Sequence, residues 1–137
     1  PSYVSMQTAL RHYGLIPESV HTTTSLTFRA SKLYENSTGR YEYLHCASDY
    51  YSIGIRQVVE DDYAYLIASP EKALCDLIVY TPRLRLRFVK NMETYLEEDI
   101  RFDMDEFYKM DETIFKQCAY VSKKKTEINN LIKLLKR

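Results

Sequence analysis

The sequence predicts an α+β fold, in which helices pack on a small, mostly antiparallel sheet and a helical C-terminal part follows. Short segments rich in β-branched and aromatic residues alternate with turn residues up to position 68. From position 69 onward, the apolar residues recur at helical spacing. The length of 137 residues suits one domain. We therefore expect a single domain over 1–137, with a sheet-containing core at 1–80 and a helical subregion at 81–137.

The composition is that of an ordinary folded domain, with 45% apolar and 28% charged residues. The 19 basic and 19 acidic side chains balance, which argues against a histone-like polyanion binder. Residues 1–80 nevertheless carry 6 basic and 9 acidic side chains, whereas residues 81–137 carry 13 and 10. The second half therefore has room for a local phosphate-binding patch. No apolar run approaches the roughly 20 residues of a membrane-spanning helix.

The first helix is predicted over SMQTALRHYG, residues 5–14. Ser5 is suited to cap its amino terminus, and Gly14 is suited to the left-handed conformation that ends a helix. Pro17 prevents any continuation. The apolar stripe of this helix comprises Met6, Ala9, Leu10 and Tyr13.

Five strand-like segments follow the first helix. The residues at 36–39, NSTG, predict a hairpin turn, and the acidic residues 60–62 predict a second turn. The strand-like segments are SVHTTTSLTF (19–28), KLYE (32–35), RYEYLHCA (40–47), IGIRQVV (53–59) and YAYLIA (63–68).

The next helix opens with a complete start signal in SPEKALCDLI, residues 69–78. Ser69 is expected to cap the free amides, Pro70 tolerates the first helical position, and Glu71 complements the positive helix end. The wide apolar face indicates burial on more than one side. Lys72 and Asp76, four residues apart, are expected to pair on the remaining polar stripe. The helix is expected to support the sheet as scaffold.

Beyond Pro82 the string RLRLRF alternates strictly, as a strand does, but a longer window up to Leu96 favours a helix. We favour the helix, which has an apolar side and a basic side. The apolar side comprises Leu84, Phe88, Met92, Tyr95 and Leu96, and the basic side comprises Arg83, Arg87 and Lys90. Further helices are predicted to begin at Asp103, at Asp111 and near Ser122.

Residues suited to metal binding or catalysis do not form a recognisable motif. The three histidines lack HxxxH spacing, and the three cysteines lack CxxC spacing, so we expect no metal site, no cofactor and reduced, buried thiols. Asp103 and Asp105 form a DxD pair, and Glu71 with Asp76 form another carboxylate pair. The alternative hypothesis is a metal-dependent nuclease or nucleotidyltransferase that acts through Glu71, Asp76 or the carboxylates of residues 103–106. Helix capping explains Asp103 and Asp105 better, and Glu71 already has a role at a helix end.

Two basic groups are candidates for contact with a nucleic-acid backbone. Arg83, Arg87 and Lys90 converge on the predicted helical face, and Lys123, Lys124 and Lys125 precede the last helix. The 13 tyrosines are a third candidate, as stacking platforms, but in alternating strands core and interface positions are the favoured interpretation.

Three segments together resemble the AbiEi-like antitoxin family of type IV toxin–antitoxin systems, whose members are also described as transcriptional regulators. They are YVSMQTALRHYGLIPESVHTTTS, YENSTGRYEYLH and YLIASPEKALCDLIVY, in the family's order over about residues 3–80. The likeness is looser from YLEEDIRFDMDEF to the end. The matching positions are Gly14, Pro17, Gly39, Arg40, Ser69, Pro70, Glu71, Lys72 and Asp76.

The resemblance implies a non-enzymatic, cytoplasmic bacterial module that lies C-terminal to a winged-helix DNA-binding domain. In such a system of abortive infection and phage defence, the module opposes a nucleotidyltransferase-like toxin, usually without a stable complex. It also assists autorepression of the operon, with operator DNA bound mainly by the winged-helix domain, which we expect to precede residue 1. The resemblance carries no catalytic residue and leaves homodimerisation open.

Overall fold

The computed structural model describes all 137 residues, which form six strands, seven α-helices and one π-helical segment, Tyr95–Asp99. The strands are β1 (Tyr3–Val4), β2 (Thr22–Thr27), β3 (Lys32–Asn36), β4 (Gly39–His45), β5 (Ile55–Val59) and β6 (Ala64–Ala68). The helices are α1 (Met6–His12), α2 (Ser48–Tyr51), α3 (Pro70–Tyr80), α4 (Val89–Thr94), α5 (Met104–Phe107), α6 (Glu112–Val121) and α7 (Lys125–Leu135).

All six strands form one open sheet in the order β3-β4-β2-β1-β6-β5. The pairs β1/β2, β3/β4 and β5/β6 are antiparallel, and the pairs β1/β6 and β2/β4 are parallel. Residues 81–137 contribute helices and no strand. The predicted α+β class, with a mostly antiparallel sheet and a helical C-terminal part, is therefore confirmed.

The centre of the sheet is the two-residue strand β1, which the sequence analysis did not predict. Tyr3 lies opposite Leu26 of β2, and Val4 lies opposite Ser25 of β2 and Ile67 of β6. Strand β1 therefore joins a three-stranded part, β3-β4-β2, to the pair β6-β5. A two-residue strand has too few positions to show an alternating pattern.

Helix α1 confirms one predicted signal and corrects another. Gly14 follows the helix with φ +73°, as expected for a left-handed stop. Ser5 occupies the N-cap position, but its side chain makes no cap hydrogen bond and instead donates to Asp76. The predicted capping role of Ser5 is wrong, because its hydroxyl is directed at the Asp76 carboxylate and accepts from no amide of the helix.

Helix α3 follows β6 directly and is buried all round. Ser69 caps it as predicted, because the Ser69 hydroxyl accepts from the amide of Lys72 at 3.1 Å. The eight consecutive residues from Glu71 to Ile78 are all buried. One cluster of 29 buried apolar residues surrounds the helix and draws on both the sheet and the C-terminal helices.

The predicted helix at 83–96 begins only at Val89, and residues 83–88 form neither helix nor strand. Arg83 has φ +63°, outside the right-handed helical region, and Phe88 is 70% exposed instead of buried. The carbonyl of Leu86 accepts from the Asn130 side chain in α7 at 2.9 Å. Contact with α7 thus holds residues 83–88 in a non-helical conformation, although their sequence pattern favours a helix.

Two of the C-terminal helices, α5 and α6, begin at the predicted positions, and α7 begins later than predicted. Asp103 caps α5, and Asp111 caps α6, each through its side-chain carboxylate, as predicted. Helix α7 begins at Lys125 and not near Ser122, because the Ser122 hydroxyl accepts from the amide of Lys124 at 2.9 Å in a turn. None of the helices has both the length and the apolar character needed to cross a membrane.

All three cysteines are free and buried. Burial, with a smaller contribution from Asp76, raises the pKa of the Cys46 thiol to about 11. Burial also raises the pKa of Cys75, next to Cys118. The prediction that the thiols are buried is confirmed.

Gly54 and Gly14 provide a matched pair of tests for close packing at α3. Both have positive φ, but an added Cβ at Gly54 would lie 3.0 Å from Lys72 Cβ and 3.1 Å from Ile114 Cγ2, whereas nothing lies within 4 Å at Gly14. Gly14→Ala should therefore cost about 1 kcal/mol in the free energy of unfolding, from backbone strain alone. Gly54→Ala should cost about 2–4 kcal/mol, because overpacking adds to that strain. Equal losses in urea denaturation would contradict the packing at Gly54.

Candidate functional site

The residues that open α3 connect this helix to its neighbours. Glu71 accepts through Oε2 from the backbone amide of Asp111 at 3.1 Å. Asp111 is the residue that caps α6, so Glu71 links the starts of two helices. The predicted role of Glu71 at the positive end of α3 is thus combined with a contact that the sequence does not reveal.

Lys72 is completely buried, and its ammonium group is fully hydrogen-bonded. Nζ donates to the backbone carbonyls of Tyr50 at 2.8 Å, Tyr51 at 3.1 Å and Ile53 at 2.6 Å. It also lies over the rings of Tyr3, at 4.9 Å, and Tyr50, at 4.4 Å. Because an ammonium group has three N–H donors, Lys72 has none left for a ligand.

Asp76, one turn further along α3, is also completely buried. Its Oδ2 accepts from the Tyr3 hydroxyl at 2.9 Å and from the Ser5 hydroxyl at 2.5 Å. Its Oδ1 accepts from the Tyr50 hydroxyl at 2.5 Å. We call these five residues, Tyr3, Ser5, Tyr50, Lys72 and Asp76, the polar junction.

The predicted contact between Lys72 and Asp76 on an exposed stripe is wrong. Both side chains are buried, and each uses its own set of partners instead of forming an ion pair. Burial raises the pKa of Asp76 above its usual range, while the nearby Lys72 charge and the three hydroxyl donors oppose the rise. Burial lowers the pKa of Lys72, and the Asp76 charge opposes that fall. Each group is therefore the counter-charge of the other.

The tyrosines of the polar junction remain protonated donors. Burial, followed by the charge of Asp76, raises the pKa of both Tyr3 and Tyr50 well above the usual range. Both hydroxyls therefore stay protonated near neutral pH and donate to the carboxylate. With its donors and acceptors occupied, the polar junction is suited to holding elements together and not to proton transfer.

The acidic residues considered for metal chemistry do not gather at one site, although Glu71 and Glu106 border the same cavity of about 160 Å³, where Glu106 pairs with Lys109 at 3.3 Å. Asp103 accepts from the amide of Glu106 at 3.3 Å, Glu71 contacts α6, and Asp76 is enclosed in the polar junction. No group of three or more histidine, cysteine, aspartate or glutamate side chains is arranged to hold a metal ion. His45 faces the backbone of Arg29, at 2.9 Å from Nδ1 to the carbonyl oxygen.

The structure leaves two of the first three basic candidates free of ion pairs. Arg83 and Arg87 are exposed and lie within residues 83–88, the non-helical segment before α4. Lys90 forms an ion pair with Glu93 at 3.0 Å, which raises the pKa of Lys90 and compensates its charge. The three residues do not lie on one helical face, because Arg83 and Arg87 precede α4.

The lysines before α7 lie next to this segment. Lys124 donates from Nζ to the carbonyl of Leu84 at 3.2 Å, so the turn at 122–124 contacts residues 83–87. Lys125 donates to the carbonyls of Ala119 and Tyr120 at the end of α6. Lys123 is exposed and, with Lys124, borders a cavity of about 320 Å³. The two basic groups predicted separately are therefore neighbours.

A cavity of about 610 Å³ lies between strands β2 and β4 and the C-terminal end of α3. Its floor includes Thr22 and Thr24 of β2 and Arg40 and Glu42 of β4, which the strand register places side by side. Arg40 thus faces open space. Tyr95, which begins the π-helical segment, forms part of the wall.

Comparisons of the chain with protein-family models, with curated proteins and with solved structures gave no match. A function for this chain is therefore inferred from the residues described above and from the sequence segments that resemble the antitoxin family.

The polar junction predicts a strong coupling between Lys72 and Asp76. Lys72→Met and Asp76→Asn should each cost about 3–5 kcal/mol in the free energy of unfolding, because each leaves a buried charge without its counter-charge. The double variant should lose less than the sum of the two, by at least about 1 kcal/mol.

Urea denaturation measures these losses, with Lys116→Met as the control. Lys116 forms an exposed ion pair with Glu112 at 3.1 Å, so its replacement should change stability by less than about 0.5 kcal/mol. Strictly additive losses at Lys72 and Asp76 would show that the two charges do not stabilise each other.

Proposed function

We propose that this chain is the non-enzymatic module of an AbiEi-like antitoxin and transcriptional regulator. In this proposal it acts in the bacterial cytoplasm, opposes a nucleotidyltransferase-like toxin without a stable complex, and assists autorepression of its operon. The proposal rests on the ordered sequence segments that resemble the family and on how the fold uses them.

One observation carries the proposal. Tyr3 and Ser5 belong to the first matching segment, whereas Lys72 and Asp76 belong to the third, yet all four meet in the polar junction. The hydrogen-bonded residues are 71 and 73 positions apart. The two segments satisfy each other's buried polar groups, which supports reading the resembling positions as parts of one folded unit.

The use of the acidic residues supports a recognition function over the alternative enzyme. A nuclease or nucleotidyltransferase would need carboxylates close together around a divalent ion. Here Asp76 accepts from three hydroxyls, Asp103 caps a helix, and Glu71 contacts the start of α6. These residues have structural partners that explain why they are present.

Operator DNA is proposed as a partner, bound mainly through the winged-helix domain that the resemblance implies. The basic residues of this chain would add contacts to the phosphate backbone. Arg83, Arg87 and Lys123 are exposed and suited to this role, whereas Lys90, Lys124 and Lys125 already have partners within the chain.

Growth rescue tests the proposal directly. The proposal predicts that the adjacent gene encodes a nucleotidyltransferase-like toxin. That gene is expressed together with the full-length product of this protein's gene, and separately with residues 1–137. The antitoxin proposal predicts restored growth with the complete gene product. If neither protein restores growth, the proposal is wrong.

The same strains can carry a reporter under the operon promoter. Arg83→Ala combined with Arg87→Ala should leave growth rescue intact but weaken repression, because it removes two phosphate contacts. Lys116→Ala, which removes an exposed charge elsewhere, is the matched control and should change neither signal.

A further inference from the structure

One face of the β3–β4 hairpin carries a row of tyrosines. In the antiparallel register, Tyr34 of β3 lies opposite Tyr41 of β4, and Lys32 lies opposite Tyr43. Because side chains alternate along a strand, Lys32, Tyr34, Tyr41 and Tyr43 project from the same side of the sheet. Strand β3 is an edge strand whose five residues are all exposed.

The three tyrosine rings are stacked beside one another. Tyr34 lies between the other two, with ring centroids 5.6 Å from Tyr41 and 5.9 Å from Tyr43 and interplanar angles of 28° and 14°. The outer tyrosines are further held by polar contacts: Tyr41 with the Thr38 hydroxyl at 2.9 Å, and Tyr43 with the Tyr34 hydroxyl at 3.4 Å. The outer faces of the Tyr41 and Tyr43 rings are therefore not covered by another tyrosine of the row.

The surroundings of this row are basic. The only acidic residues between positions 21 and 46 are Glu35 and Glu42, and strand alternation places both on the opposite side of the sheet. Lys32 lies with Nζ 5.0 Å from the centre of the Tyr34 ring. A cavity of about 360 Å³ is bordered by Tyr34, Tyr43, Lys32 and Arg29, and neither of the two basic residues forms an ion pair.

We propose that this tyrosine face, comprising Arg29, Lys32, Tyr34, Tyr41 and Tyr43, binds single-stranded nucleic acid. A base stacks on an outer ring of the row, and the flanking phosphates contact Arg29 and Lys32. A flexible polyanion with planar bases complements a surface with half-exposed outer tyrosine rings and two cations that form no ion pair. A duplex fits less well, because its bases already stack on one another. This activity is independent of the proposed antitoxin function.

The chain contains a second tyrosine stack that serves as an internal control. The rings of Tyr63 and Tyr65 lie 6.1 Å apart at 22°. Their turn, however, contains Glu60, Asp61 and Asp62, whose negative charge repels phosphates. Stacked tyrosines are thus present at both places, and the charge around them is of opposite sign.

The test is the fluorescence anisotropy of labelled single strands of about 12 nucleotides, RNA and DNA, and of the corresponding duplex, with the full chain. Tyr43→Leu should weaken single-strand binding at least about fivefold, because Leu keeps an apolar side chain but removes the ring. Tyr43→Phe should retain the affinity, since it keeps the ring. Tyr63→Leu should have no effect.

A second, charge-based variant does not depend on the tyrosine row. Arg29→Gln combined with Lys32→Gln, at exposed positions, should reduce the slope of log affinity against log salt by about 1.4, as expected for two lost phosphate contacts. Circular dichroism confirms that each variant is folded.

Several outcomes would overturn the proposal. They are no single-strand binding at low salt, equal affinity for the duplex, or equal losses for Tyr43→Leu and Tyr63→Leu. A chain that binds no oligonucleotide but changes its oligomeric state in Tyr43→Leu, as measured by light scattering, would instead identify the tyrosine face as a protein interface.

Discussion

The buried carboxylate of Asp76 is the interaction on which the rest of this fold depends. It lies in α3, the most enclosed helix, and accepts hydrogen bonds from β1, from the residue before α1 and from α2. A buried charge without partners would be very unfavourable, so these elements must be in place for the core to close. Lys72 supplies the counter-charge and at the same time donates to carbonyls at the end of α2 and to that of Ile53 just after it. Two residues one turn apart therefore connect four parts of the chain.

The position of β1 shows why this connection matters for the sheet. Only two residues long, β1 joins β2 to β6, and hence the tyrosine-bearing hairpin to the strand that leads into α3. Tyr3 contributes both to this strand and to the polar junction. The proposed recognition surfaces, the basic segment near Arg83 and the tyrosine face, both lie outside this buried centre. The polar junction holds the elements that carry them in place.

The sequence predicted the features that depend on local chemistry. Ser69 and Pro70 define the start of α3, Gly14 ends α1, and the turn at 36–39 forms the hairpin, because neighbouring residues determine each of them. The fold class followed from the same patterns.

Most of the missed features depend on contacts between different elements of the structure. Ser5 has the sequence position of a helix cap, but in the fold its hydroxyl donates to Asp76. Residues 83–88 have a helical pattern, but in the fold the Asn130 side chain of α7 donates to the Leu86 carbonyl and they form no helix. Lys72 and Asp76 have the spacing of an exposed helical pair, and only burial by the sheet reveals their true partners. The tyrosine row was missed for a related reason, because alternation places Tyr41 and Tyr43 on one side but only strand register brings Tyr34 between them.

Native-state hydrogen exchange is the most direct test of the central claim, since it gives the free energy at which each backbone amide becomes exposed. If the polar junction holds β1 to α3, the amides of Ser5, which bonds to Thr24, and of Leu74 to Ile78 should open only with the whole molecule. Their exchange free energies should then agree with each other and with the free energy of global unfolding. Exchange at Ser5 through a local opening several kcal/mol below that of α3 would show that the junction does not hold the fold together.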